Sequence, residues 1–405
     1  MVSRHFWPHL WSDAACRDLR LADALHRAGL GIEVLTPRYS SAWPERLTIR
    51  ELPVERPLAA PQTPWSVARY QRHLQSWLTA NAGRFDIVFC TRLGEEFSAL
   101  MQMQLPPSVC RVGLHSGTGD AADHRVWASL RGGKRMPGHL AKADAVVVSW
   151  ASAQRALLAI GTPVNRMHRI DIGVISGATP ADRDVSVSGS LRRQRQALAE
   201  INGDLELDRD SQVILVCGQM GPAGITMSVA KAFPGLLDTW PDLRLWLIGD
   251  GPLRERLHAY FRHQSIRQNV AMPGTFVDFE ELFAVADLVV VPSPADALED
   301  TLPAAVAAAV PLVVPDSPDT RAYFAGLESL VEWFNSAEEA SLERAIRDSL
   351  IRLGGRRIAA RNLRRELLVR RPYQQTVTAY KRLFDSLADA NRERRIADSV
   401  RHPAR

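Results

Sequence analysis

Short apolar runs rich in valine, each followed by a stretch with helical periodicity, recur along the chain in two series. "FDIVFCT" (85–91), "CRVGLHSG" (110–117) and "ADAVVVSWAS" (143–152) belong to the first. "SQVILVCG" (211–218), "LRLWLIGDG" (243–251), "ADLVVVPS" (286–293) and "PLVVPD" (311–316) belong to the second. Runs of this length are too short for buried helices, and their regular alternation with helical segments predicts parallel α/β sheets. "LRLADALHRAG" (19–29) reads as a helix stopped by Gly29, with "IEVLTP" (32–37) as the strand after it. Trp65–Leu78, "AQRALLAIG" (153–161), "MSVAKAFPGLL" (227–237), "PLRERLHAYFRHQ" (252–264) and Pro303–Val310 read as helices, and the chain closes in long basic helices.

A polar stretch at 177–210 with a short helical piece separates the two series. With 405 residues and 46% hydrophobic content there is material for two ordinary cores. The expected division is 1–180, a linker over 181–210, 211–365, and C-terminal helices over 366–405 packing back toward the first domain. Two consecutive Rossmann-like domains place a ligand in the cleft between them, outside the carboxyl ends of the strands.

The formal charge of +5 permits an anionic ligand or membrane surface and requires neither. Cys16, Cys90, Cys110 and Cys217 are far apart and read as reduced thiols of a cytoplasmic protein. No run approaches the roughly 20 residues of a membrane span. His5, His9, His115 and His124 lack zinc-ligand spacing, and the Asp182–Asp184 and Asp208–Asp210 pairs lie in polar linker, so no metal site is expected.

"IGDGPLRERL" (248–257), continued by "NVAMPGTFVDFEELFAVADLVVVPS" (269–293), resembles the family-four, or group 1, glycosyltransferases of the GT-B fold. "RLADALHRAGLGIEVLTPR" (20–38) and "ADAVVVSWASAQRALLAIGTPVNRMHRIDIGV" (143–174) resemble the first half of that family. The resemblance implies an α/β, GT-B architecture: two Rossmann-like domains facing each other, acceptor side first and nucleotide-sugar side second. It further implies retaining, metal-independent transfer from a nucleotide diphosphate sugar as co-substrate, with no cofactor, to a glycan or lipid-linked acceptor of a cell-surface polysaccharide or glycolipid.

By position in the family's motifs, His115 and Asp296 are the candidate catalytic residues. The donor-binding positions are Ser12, Asp13, Gly218, Gln219, Gly224, Glu299, Asp300, Thr301, Leu302 and Ala304. This donor motif is degenerate. Gln219 and Gly224 stand where the family has Arg and Lys, Ala304 where it has Glu, and Ser12-Asp13 where it has Gly-Gly. Charge-assisted hydrogen bonds are about twice as strong as neutral ones, so each change weakens a phosphate or ribose contact. Glu299 and Asp300 suit the N-terminus of the following helix, with Thr301 as its cap, and repel a diphosphate unless turned outward. Arg254 and Arg321 are the cations left to compensate.

Two functional classes therefore stay open: an active transferase with an altered donor site, and a catalytically inactive homologue acting as a binding or scaffold partner. The basic clusters Arg125, Arg131, Lys134, Arg135 and "RRIAARNLRRELLVRR" (356–371) read first as solvated faces. Peripheral docking on the inner face of a membrane is the minor option, and no nucleic-acid motif accompanies the charge. Phe6, Trp7 and Trp11 suit either core packing or stacking on an acceptor sugar.

Overall fold

The computed structural model describes residues 1–8, 13–119, 122–130, 132–175, 187–208, 211–221, 225–276, 280–291, 299 and 301–401. The chain divides into two compact units. One comprises Met1–His9, Arg17–Asp171 and Gln374–Arg405, and the other Leu10–Cys16 with Ile172–Tyr373.

The first unit holds β1 (Val34–Leu35), β2 (Arg46–Ile49), β3 (Leu52–Glu55), β4 (Ile87–Cys90), β5 (Cys110–Leu114), β6 (Ala145–Val148) and β7 (Met167–Arg169). β4-β5-β6-β7 is all parallel, and β1-β3-β2 forms a second piece. Val2 joins the two, bridging Leu35 on one side and Cys90 on the other. The chain's first residues thus lie where the strand order reverses, between β1 and β4. The core strands are solid apolar residues. Every side chain of Ala145–Val148 is buried, as expected of a strand covered on both faces.

The sequence gives no sign of the β2–β3 hairpin. Its two central residues, Arg50 and Glu51, take φ of 49° and 69°, where Asn or Gly is usual. The last helix, Tyr373–Arg401, packs on the first unit. Tyr380 and Phe384 meet the Phe89 ring at 6.0 and 5.4 Å, and Thr376 Oγ1 donates to Asp171 O at 2.8 Å.

The second unit holds β8 (Val213–Cys217), β9 (Arg244–Ile248), β10 (Val270–Gly274), β11 (Leu288–Val290), β12 (Leu312–Pro315) and β13 (Glu332–Phe334). All six are parallel, in the order β10-β9-β8-β11-β12-β13. This is the doubly wound 3-2-1-4-5-6 arrangement, with its switch point between β8 and β11. Phe233, Phe261, Leu342 and Ile346 fill the core against Ile214, Leu245 and Val313.

Within the stretch read as linker, Val187–Ile201 is a 15-residue helix, longer than expected. Arg195 in that helix reaches Ser211 O and Asp287, and Leu198 is buried. In the closing helix Leu353–Arg370, Ala360, Leu363 and Leu367 are buried, as its reading as a packed basic helix expects. Ile358 and Val369 are exposed, which that reading does not.

Candidate functional site

In a doubly wound sheet the ligand crevice opens at the switch point, outside the carboxyl ends of the strands. In the second unit, that point is flanked by the segments after β8 and after β11. The segment after β8 is fixed by its neighbour after β9. Gly218 N donates to Ile248 O, Met220 N to Asp250 O, and Leu253 N to Met220 O, at 2.9, 2.9 and 3.0 Å. The clasp is closed enough that a Cβ on Gly249 would sit 2.0 Å from Gly218 O, and one on Gly251 2.6 Å from Met220 O. Both glycines also have φ in the region that L side chains avoid, 138° and 155°. The "GDG" of the sequence is thus the device that lets two loops lie backbone to backbone and holds Gln219 at the crevice edge. Gln219 is exposed, and its main-chain carbonyl accepts from Gly221.

The two cations left to compensate are committed elsewhere in the same unit. Arg254 donates to Gly249 O at 3.5 Å and Met272 O at 2.7 Å. Arg321 forms a bidentate pair with Asp316, both bonds 2.7 Å, and lies 3.9 Å over the Trp333 ring. That pair holds the Asp316 carboxyl below its ordinary range.

The segment after β11 runs into the helix Thr301–Ala307, buried at every residue. Thr301 is the first helical residue and not a cap ahead of the helix, and Leu302 is wholly buried. Ala304 is 3% exposed, so it offers a ligand neither a polar group nor a surface. Glu299 is also buried, 3% exposed, and not turned to solvent as a purely capping acid would be. Asp296, Asp300, Gly224 and Ser12 lie outside the described residues. Asp13 opens the helix Asp13–Arg27, so it belongs to the helix and not to a loop before it.

The corresponding end of the first unit is densely polar. Ser3 Oγ donates to Asp18 Oδ2 at 2.6 Å. Arg17 donates to Asp18 Oδ1, Ser116 Oγ and Thr91 O at 2.6, 3.0 and 2.9 Å. Arg4 lies between Glu95 and Glu96 and over the Tyr70 ring. Burial and the neighbouring Glu96 raise the Glu95 pKa, against the pull of Arg4.

His115 follows β5 and extends its ladder, donating from its main chain to Val147 O at 2.9 Å. Its side chain is 0% exposed, and its Nε2 lies 2.9 Å from His124 Nδ1. Asp123 fixes that neighbour. Its Oδ2 accepts from Leu93 N and Ser116 N at 2.8 and 2.9 Å, and its Oδ1 from Arg92 Nε at 3.1 Å. Burial, reinforced by Arg125, lowers the His124 pKa below the ordinary imidazole value, with Asp123 opposing.

The sequence singles out His115 but not its partner. His124 sits nine residues on in "GDAADHRVW", with no periodicity linking the two. Phe6 is buried in the core, and Trp7 lies beside Arg56 at 6.0 Å. Trp11 is outside the described residues.

Residues 211–349 match the family described as glycosyl transferases group 1. No curated protein sequence matches the chain. Solved structures resemble it nearly end to end. A sucrose-phosphate synthase from Thermosynechococcus elongatus superposes at TM-score 0.71 and 14% identity, covering 96% of this chain and 100% of that one. WaaG, a glycosyltransferase involved in lipopolysaccharide biosynthesis, gives 0.68 and 16%, with 96% and 99% covered. HepE from Anabaena in complex with UDP-glucose gives 0.62 and 14%, with 96% and 99% covered.

Proposed function

We propose that the chain transfers a glycosyl group from a nucleotide diphosphate sugar to a glycan or lipid-linked acceptor, since residues 211–349 match the group 1 glycosyl transferases and the chain carries the GT-B fold of two Rossmann-like domains. The observation that carries this reading is the switch point between β8 and β11, with Gly218–Met220 clasped at its edge. It is the place where a doubly wound unit receives a nucleotide. The UDP-glucose complex of HepE is consistent with a nucleotide sugar as donor. Residues 1–180 would take the acceptor, 211–365 the donor. Retention of configuration without a metal follows the group's pattern, with main-chain N–H groups and the Gln219 amide meeting the diphosphate in place of side-chain cations.

WaaG's role in lipopolysaccharide biosynthesis supports a cell-surface glycan as product. A lipid-linked acceptor would be met by peripheral docking at the inner face of a membrane. Among the described residues no helix is long and apolar enough to cross one.

A second reading, an inactive homologue serving as a binding partner, is favoured by one set of facts. Gln219 is neutral, and both Arg254 and Arg321 are held by other groups. Incubation with UDP-, GDP- and ADP-sugars in the presence of EDTA, with and without glycan acceptors, decides between them. Release of nucleoside diphosphate supports the transferase. No release with any donor, together with no binding, leaves the inactive homologue.

A further inference from the structure

We propose that the base of the first unit's sheet holds a binding pocket for a small zwitterion, whose ammonium meets Asp144 and whose carboxylate or phosphate meets Arg166. The pocket lies at the amino ends of the strands, away from the His115 network at their carboxyl ends. Its ligand is independent of the transfer proposed above.

The pocket has a volume of about 220 Å³. It is lined by Cys110 at the start of β5, Asp144 just before β6 and Arg166 just before β7, together with Leu387 and Asn391 of the last helix. Drug-sized ligands fill roughly 300–1,000 Å³, so the molecule that fits here is small.

The two units treat corresponding aspartates differently. Asp287 uses both carboxylate oxygens. Its Oδ2 accepts from Val213 N at 2.9 Å and from Arg195 at 3.3 Å, and its Oδ1 pairs with Arg357. Asp144 uses one. Its Oδ2 accepts from Arg111 N at 2.8 Å, and among the described residues its Oδ1 has no protein partner. A cationic donor in the pocket would do for Asp144 Oδ1 what Arg357 does for Asp287.

Arg166 is the complementary half. It is half-buried and donates to Ala143 O, and among the described residues it pairs with no carboxylate. Asp144 and Arg166 line one pocket, yet no ion pair joins them. Opposite charges held apart in this way leave room for a molecule that carries both, each facing its counterpart.

Asn391 adds a third group. It is 4% exposed, and its Nδ2 donates to Cys110 Sγ at 3.1 Å. Sulfur is a weak acceptor. Among the described residues Asn391 Oδ1 accepts from no protein group, although buried carboxamides are ordinarily bonded. An ammonium has three N–H donors and suits the two open oxygens, Asp144 Oδ1 and Asn391 Oδ1. The remaining N–H groups of the Arg166 fork suit an oxyanion. A lone cation or a lone anion would answer only one of the two charges.

The test is calorimetric titration of the full chain with each of the common α-amino acids and, separately, with phosphoethanolamine. At least one probe should bind saturably with a Kd below about 10 mM. An amino acid as the best probe identifies a free metabolite as the source, and phosphoethanolamine a lipid head group. The best probe's N-acetyl derivative lacks the ammonium, and its parent amine lacks the acid group. Each should bind roughly tenfold more weakly or worse, since each loses a charge-assisted hydrogen bond. Asp144→Asn keeps an acceptor for Arg111 N and should weaken binding by about the same factor, as should Arg166→Gln. If Asp144→Asn lowers the thermal midpoint, Arg166→Gln decides, because Arg166 is half-buried and outside the strands. No saturable binding of any probe overturns this inference. So does an amine or an acid alone that binds as tightly as the zwitterion, or wild-type affinity in Arg166→Gln.

Discussion

At the base of each sheet an aspartate precedes a valine-rich strand and exchanges main-chain bonds with the strand beside it. Asp144 Oδ2 accepts from Arg111 N at 2.8 Å while its own N–H donates to Arg111 O at 3.0 Å. Asp287 Oδ2 accepts from Val213 N at 2.9 Å while its N–H donates to Val213 O at 3.0 Å. The two "Ala-Asp" dipeptides of the sequence are one device used twice, to set the register of a central parallel pair. At the opposite, carboxyl ends the units part company. The first presents Arg17, Asp18, Asp123, Arg92 and the His115–His124 pair. The second presents, among its described residues, Gln219, the buried Glu299 and a buried helix whose side chains after Thr301 are all apolar. The frame is shared and the chemistry is not, because a parallel sheet is specified by its base and core while its loops are free to change.

Even the bases differ in what they carry. Asp287 also pairs with Arg195 and Arg357, whereas Asp144 has no such partner among the described residues. Asp287→Ala should therefore be the costliest change considered, on the order of 3–5 kcal/mol, since it strands a mostly buried arginine. Urea unfolding midpoints check it. Gly249→Ala should come next, at about 3 kcal/mol, because the new Cβ meets Gly218 O and the φ of 138° is strained. It should weaken nucleotide binding as well, by opening the clasp. Asp144→Ala should cost less, about 2 kcal/mol, the worth of one hydrogen bond to a charged group. Equal losses at Asp144 and Asp287 would mean that the arginines add nothing and the two bases are equivalent.

Much of this frame was legible in the sequence, because fully buried parallel strands have nowhere to hide polar residues. The alternation of such strands with helices predicts both sheets, and "IGDGPLRERL" marks the β9 clasp through glycines whose backbone approach no other residue permits. The β2–β3 hairpin was not legible, since Arg50 and Glu51 occupy a turn that neither favours. Nor were the fates of Arg254 and Arg321, because a guanidinium chooses its acceptors in three dimensions. The burial of Glu299 belongs to the same class. So does the His115–His124 contact, which accompanies the tie between Asp123 and Ser116, the residues next to the two rings.

The smallest expected effect is on pH dependence. The His124 pKa is lowered on folding, so the unfolded chain binds more protons just below the ordinary imidazole value. Stability should fall as pH drops from 7 through that value and the lower folded one. His139, His168 and His258 are shifted in the same direction and contribute to the slope. His124→Gln should flatten the curve in part. An unaltered slope would remove His124 from the buried set.

The central claim is that the second unit's switch point receives a nucleotide although Gln219 and Gly224 stand where the family has Arg and Lys. Calorimetric titration with UDP, GDP and ADP, on the wild type and on Gln219→Arg, tests it most directly. The account predicts saturable binding of one nucleotide at submillimolar strength, about −5 kcal/mol or better. The variant should bind it roughly tenfold tighter, as a charged hydrogen bond replaces a neutral one at an exposed position. No heat with any nucleotide at millimolar concentration, in wild type and variant alike, would contradict it.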